Sequence, residues 1–186
     1  MKPARPRRQP MPPAALPPTD EVEPVQLVIA NRQQTKPLAL RPLRPIILAL
    51  FAELKLERAE LGIHFVSPRT MARVNWQYLQ HEGSTDVITF DHREPGEPSA
   101  KTAGPVVHGE LFICVADAVA QAKQFGTTWQ AEVVRYVVHG VLHLLGYDDL
   151  APAPRKLMKR EENRLVQRLA GRFSFAQLAR PAKIRA

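Results

Sequence analysis

The chain is expected to form an α+β domain, a small four-stranded mixed sheet packed with about five helices. Three observations point to this class. Four short runs rich in β-branched and aromatic residues are interleaved with five stretches of helical periodicity. Hydrophobic residues make up 45% and charged residues 24% of the 186, an ordinary composition for one domain with a buried core. Finally, the stretch from Trp129 to Leu145 is apolar nearly all round, which predicts a helix at the centre of the fold.

The elements follow in order. Val25 to Ala30 reads as a strand, then a basic loop, then a helix opening near Pro42 or Pro45 and running to about Arg58. Leu61 to Val66 is a second strand, with Ile63 and Phe65 at strand spacing. Ser67-Pro68 pairs a capping hydroxyl with proline at the first helical position, opening a helix to about Leu79. Thr85 to Asp91 and Gly109 to Val115 are the third and fourth strands, separated by a loop holding Pro95, Gly96, Pro98, Gly104 and Pro105. Asp117 to Phe125 is a short helix stopped by Gly126. Thr127 with Gln130 resembles a capping box opening the central helix, and Gly146 is suited to a left-handed cap at its end. A last helix spans about Pro154 to Ala170.

Three segments are expected: a basic arm at 1–24, a folded domain at 25–170 and a basic tail at 171–186. The arm holds eight prolines and little pattern, which reads as disorder. A transit peptide is the rival reading, but the amphipathic helical pattern is missing. The net charge of +8 comes from the two ends, +4 in residues 1–18 and +4 in residues 171–186, leaving 18 basic and 18 acidic side chains between them. Charge in the tails serves RNA binding or solubility equally well. No apolar run approaches the roughly 20 residues of a membrane span, so no membrane partner is expected. Cys114 is the only cysteine, which excludes a disulfide framework and fits a cytoplasmic setting.

Chemistry concentrates on the central helix. His139 and His143 interrupt its apolar surface four residues apart, a spacing that stacks two imidazoles on one side. A lone buried histidine is usually satisfied by a neighbouring polar group, whereas two on one buried helix need two such partners or must stay neutral at a cost. Beyond the Gly146 stop, Tyr147-Asp148-Asp149 brings carboxylates back toward them. Three protein ligands with a fourth position for water is the pattern of catalytic zinc, which lowers the pKa of its water to roughly 7 and yields a hydroxide nucleophile. Peptidases of the HExxH type need glutamate just after the first histidine, where this chain has Gly140.

The segment HGVLHLLGYDD at 139–149 closely resembles the signature of the YbeY family of rRNA maturation endoribonucleases. Asn75, Tyr78, TDVITF at 85–90, GELFI at 109–113, and Met158 with Glu161 or Glu162 extend the likeness over about 25–170. The resemblance implies one Zn2+ ion held by His139, His143 and Asp149, and cleavage of single-stranded RNA, above all rRNA. It implies the small ribosomal subunit and assembly factors as partners. Asn75, His81, Thr85 and Asp86 are candidates for positioning substrate, His81 having a solvated loop histidine as its rival reading.

Three positions depart from the family pattern: Asp149 stands where the third ligand is ordinarily histidine, Leu79 where an arginine follows the aromatic, and Glu110 where aspartate follows glycine. Aspartate remains a competent zinc ligand. An arginine at 79 would suit a phosphate clamp. Asp86 and Glu132 are alternative partners for orienting a ligand histidine, and spacing does not choose between them. Arg135 either faces the cleft or pairs with Glu132. His64 reads as structural, His92 and Arg93 as loop residues within reach of phosphate, and Trp76 as core. Three functions are therefore carried forward: a single-strand-specific metallo-endoribonuclease, an RNA-binding or ribosome-assembly factor with a structural metal, and a zinc peptidase or amidohydrolase.

Overall fold

The computed structural model describes residues 25–93 and 104–180. The expected arm at 1–24 lies outside the described residues. The elements run β1 (Val25–Asn31), α1 (Leu40–Glu53), β2 (Arg58–Val66), α2 (Pro68–Leu79), β3 (Val87–Asp91), β4 (Val106–Cys114), α3 (Val115–Phe125), α4 (Trp129–Leu144) and α5 (Pro152–Arg172). A short 3-10 turn, Phe175–Leu178, follows.

The strands form one mixed sheet in the order β1-β2-β4-β3. β1 and β4 both lie parallel to β2, while β3 runs antiparallel to β4 along the other edge. Register and alternation together define two faces. Leu27 sits beside Leu61, Ile63 beside Leu111, and Phe65 beside Ile113. These odd-numbered side chains join the main core with α1, α4 and α5. Even-numbered Val66, Ile88 and Cys114 point the other way and meet Met71 of α2 in a smaller core.

Several boundaries shift from the sequence expectation for local reasons. α1 begins at Leu40, admits Pro45 within its length and stops at Glu53, with Lys55 in the left-handed region at φ 53°. The chain then enters β2 at Arg58, three residues before the expected start. α2 is capped as its sequence suggests, Ser67 Oγ accepting from the Thr70 amide at 3.2 Å. At α4 the cap is Thr128, which accepts from the Ala131 amide at 3.2 Å. Thr127 instead donates its hydroxyl to Glu132 Oε1. The packed chain also continues past 170: Leu178 is fully buried, and Ala179 bridges to Leu38.

α4 lies close on β4 because glycines face both elements. A Cβ at Gly140 would come within 2.6 Å of Leu111 Cδ2, and one at Gly109 within 2.3 Å of the Phe90 carbonyl oxygen and 2.7 Å of Leu144 Cδ2. Side chains at either position would push the helix off the sheet. This contact fixes the height at which the two histidines stand.

Candidate metal centre

The end of α4 is built as a Schellman motif. Gly146 at φ 87° donates its amide to the His143 carbonyl at 2.8 Å, and Tyr147 donates to the Leu142 carbonyl at 3.0 Å. The glycine turns the chain back along the helix. Asp148 Oδ1 accepts from the Leu150 amide at 2.9 Å, so its side chain closes its own turn. The Asp149 carbonyl accepts from Arg155 Nε at 2.7 Å, tying this corner to α5. Of the two adjacent carboxylates, Asp149 is the one turned toward the histidines.

His139, His143 and Asp149 offer ligand atoms all within 4.8 Å of one another, a group that could hold a metal ion. The two Nε2 atoms are 3.0 Å apart. Asp149 Oδ2 is 3.9 Å from His139 Nε2, and Asp149 Oδ1 is 3.9 Å from His143 Nε2. A tetrahedral ion with bonds near 2.0–2.1 Å separates its ligand atoms by about 3.3 Å, which the observed spacings bracket.

The tautomers are dictated by the other ring nitrogens. His139 Nδ1 is 3.0 Å from Glu162 Oε2, and His143 Nδ1 is 3.0 Å from the Tyr147 carbonyl. Both partners accept only, so both Nδ1 atoms donate. Two neutral imidazoles would then aim lone pairs at each other across 3.0 Å. A proton or a cation between them removes that repulsion. Glu162 raises the pKa of His139: burial opposes its charged form, but the hydrogen bond and charge of Glu162, with Asp86 and Asp149 adding charge, outweigh it. Burial pushes the Glu162 carboxyl up, while bonds to His139 and Arg135 outweigh that and hold it below its ordinary range.

The carboxylate bonded to His139 is therefore Glu162 of α5, neither of the alternatives Asp86 and Glu132. Arg135 pairs with Glu132 at 3.6 Å and also with Glu162 and Asn163, at 2.5 and 2.8 Å. Its guanidinium sits between two buried carboxylates, Glu132 at 5% and Glu162 at 6% exposure. One cation faces two anions there, and the Asp149 carboxylate stands at the other ring nitrogen of His139.

The other singled-out residues fall around the α2–β3 connection. Asn75 is buried and donates its amide to the Gly83 carbonyl at 3.1 Å, shaping a turn that begins at left-handed Gln80. His81 is exposed in that turn. Thr85 Oγ1 donates to Asp86 Oδ1 at 3.1 Å, and the same oxygen accepts from the Val87 amide at 2.9 Å. Asp86 thus caps the start of β3 while its charge reaches His139 and the buried phenol of Tyr136. Trp76, expected in the core, is 53% exposed, because the buried face of α2 is set by Met71 and Asn75. His64 stacks on Phe112 and bonds Glu110, which also bonds His92, all on the sheet face opposite α4. Arg93 is bonded to Asp91.

The model of the Endoribonuclease YbeY family matches residues 28–170. The chain belongs to that family. Curated YbeY relatives include the Endoribonuclease YbeY of Salinibacter ruber, 39% identical over 97 residues that span 52% of this chain and 62% of the relative. That of Bacteroides fragilis is 36% identical over 58% of this chain and 70% of its own length. That of Pelotomaculum thermopropionicum is 38% identical over 61% and 74% respectively. The fold is shared with a solution structure of a Thermotoga maritima protein, at a TM-score of 0.59 and 21% identity, covering 87% of this chain and all of that one. Among the described residues no helix is long and apolar enough to cross a membrane.

Proposed function

We propose that this chain is a zinc-dependent, single-strand-specific endoribonuclease acting in rRNA processing and ribosome maturation, in the cytoplasm. One observation carries the reading: two imidazoles whose Nδ1 atoms are both committed as donors turn their Nε2 atoms toward one point beside the Asp149 carboxylate, in a chain of an endoribonuclease family. His139, His143 and Asp149 would hold the ion. When bound, it would supply Lewis acidity to the phosphodiester and lower the pKa of water.

The protein's own residues have distinct tasks. Glu162 and the Tyr147 carbonyl hold the imidazoles in the Nδ1–H tautomer, leaving Nε2 available. Asp86 contributes negative charge near His139, and the turn shaped by Asn75 carries His81 and leads into Thr85, where RNA would be positioned. Small-subunit components and assembly factors are the partners this reading implies.

The test is substitution of the ligands. His139→Ala and His143→Ala should each lose bound zinc, measured by elemental analysis, together with cleavage of single-stranded RNA, while the far-ultraviolet dichroism stays that of wild type. Wild-type cleavage by a metal-free variant would defeat the reading.

One observation favours a second reading, an RNA-binding or assembly factor with a structural metal. Leu79 is 49% exposed at the end of α2, where a family arginine would offer a phosphate clamp. Wild type and Leu79→Arg compared for cleavage separate the two, since a pure binding protein cleaves in neither form. A peptidase is disfavoured by packing: position 140 faces Leu111 of the sheet, so a glutamate base there has no room.

A further inference from the structure

Beyond the contact of Glu162 with His139, the metal reading leaves unexplained an ionic chain that holds two buried carboxylates. It starts at Thr127, whose hydroxyl bonds Glu132 Oε1, passes from Glu132 Oε2 to Arg135 Nε at 3.6 Å, and continues from Arg135 to Glu162 Oε1. It ends where Glu162 Oε2 meets His139 Nδ1 at 3.0 Å. Three of these groups, Glu132, Arg135 and His139, stand on one side of α4, and Glu162 reaches across from α5. Asn163 adds a second acceptor for Arg135 at 2.8 Å.

A buried carboxylate costs stability unless it is paired, and apolar packing would join α4 to α5 at least as well. Its placement is informative because each oxygen has one task. Oε1 is occupied by the guanidinium, so the carboxylate cannot swing away, and Oε2 meets the ring nitrogen that does not face Asp149. Histidine ligands are oriented in this way when a carboxylate takes the proton-bearing nitrogen, which fixes the ring and makes the other nitrogen a better donor to metal.

We propose that Glu162 is a positioning residue for the metal centre, setting the tautomer and ring orientation of His139, and that Arg135 acts through it by holding its carboxylate in register. This rests on the metal reading above and adds to it a second layer of residues drawn from another helix. His143 has its own fixed partner, the Tyr147 carbonyl, so loss of Glu162 disorders one ligand and spares the other.

The experiment uses the full chain with Zn2+ as the probe. Zn2+ affinity is measured by competition with a chromophoric chelator in wild type, Glu162→Gln, Glu162→Ala and Arg135→Lys. The His139 tautomer in the metal-free protein is read from imidazole nitrogen shifts by NMR, at a pH high enough for the ring to be neutral. Glu162→Ala should bind Zn2+ roughly 10- to 100-fold more weakly. Glu162→Gln keeps an acceptor oxygen for Nδ1–H and should lose less, and Arg135→Lys should fall between wild type and the alanine variant. In wild type His139 should be held as the Nδ1–H form, and in Glu162→Ala it should become a mixture. If Glu162→Ala and Glu162→Gln both bind Zn2+ as wild type does, the positioning role is overturned while the metal centre stands. If wild type itself binds no Zn2+, the metal reading fails and this inference falls with it.

Discussion

Placing glutamate at position 140, where HExxH peptidases carry their base, tests both the packing and the chemistry. The Cβ alone would sit 2.6 Å from Leu111 Cδ2 and 3.0 Å from Cδ1, in a region where Leu111 is fully buried. Carbon atoms are comfortable at about 3.5–4.0 Å, so the helix or the leucine must yield by about 1 Å. Overpacking of this kind costs about 1–3 kcal/mol, which for alanine is offset by about 1 kcal/mol of helix propensity over glycine. Gly140→Ala should therefore destabilise by about 0–2 kcal/mol. Glutamate adds a methylene and a carboxyl group facing the apolar side of the sheet, which takes the loss to at least about 3 kcal/mol. For a chain of this size that lowers Tm by at least about 6 °C. Thermal unfolding of the three proteins, followed by dichroism, gives the order, and peptide hydrolysis is assayed alongside. A Gly140→Glu protein that melts within 2 °C of wild type and cleaves peptides would refute both the packing argument and the dismissal of peptidase chemistry.

Other expectations follow from the same geometry. Gly109→Ala drives a methyl toward the Phe90 backbone oxygen, an atom that cannot rotate away, so it should cost more than Gly140→Ala, about 2–3 kcal/mol or above by urea unfolding. Tyr136 is 4% exposed and its hydroxyl has no hydrogen-bond partner among the described residues, so Tyr136→Phe should leave stability unchanged or raise it by up to about 1 kcal/mol; a clear loss would reveal a partner. His139 has a raised pKa, so in metal-free protein its contribution is fully present below about pH 6.5 and is lost as pH rises through the folded value. Metal-free stability measured from pH 6 to 8 should show that decline in wild type and lack it in His139→Ala. Metal binding needs neutral His139 and runs the opposite way, weakening as pH falls and starting to do so at a higher pH than for an ordinary histidine.

Much of this architecture was legible in the chain because it is written in local patterns. β-branched and aromatic runs such as VITF mark strands, Ser67-Pro68 marks a helix start, and the apolar surface of 129–145 marks a buried helix. HxxxH followed by a glycine stop signalled the ligand group for the same reason: all three side chains lie within eleven residues, and one helix turn and one left-handed cap bring them together. What the chain did not disclose depends on contacts across space. The partner of His139 comes from a helix 23 residues away, and no local spacing distinguishes Glu162 from Glu161, which instead bonds Arg164 on the surface of α5. Trp76 was expected inside because it is large and apolar, yet its helix buries only Met71 and Asn75 fully. α1 ends at Glu53, short of the expected Arg58, because Lys55 takes a left-handed conformation that nothing in its side chain advertises.

The third donor at the candidate centre lies beyond the helix stop, while the first two lie before it. An ion bridging these groups would act as a clasp across the Gly146 corner, linking a rigid rod to the five-residue span that leads into α5. Filling the centre would therefore do mechanical as well as chemical service, and its emptying should be felt first as slackening at 145–151, with faster amide exchange and easier proteolysis there, long before the sheet gives way.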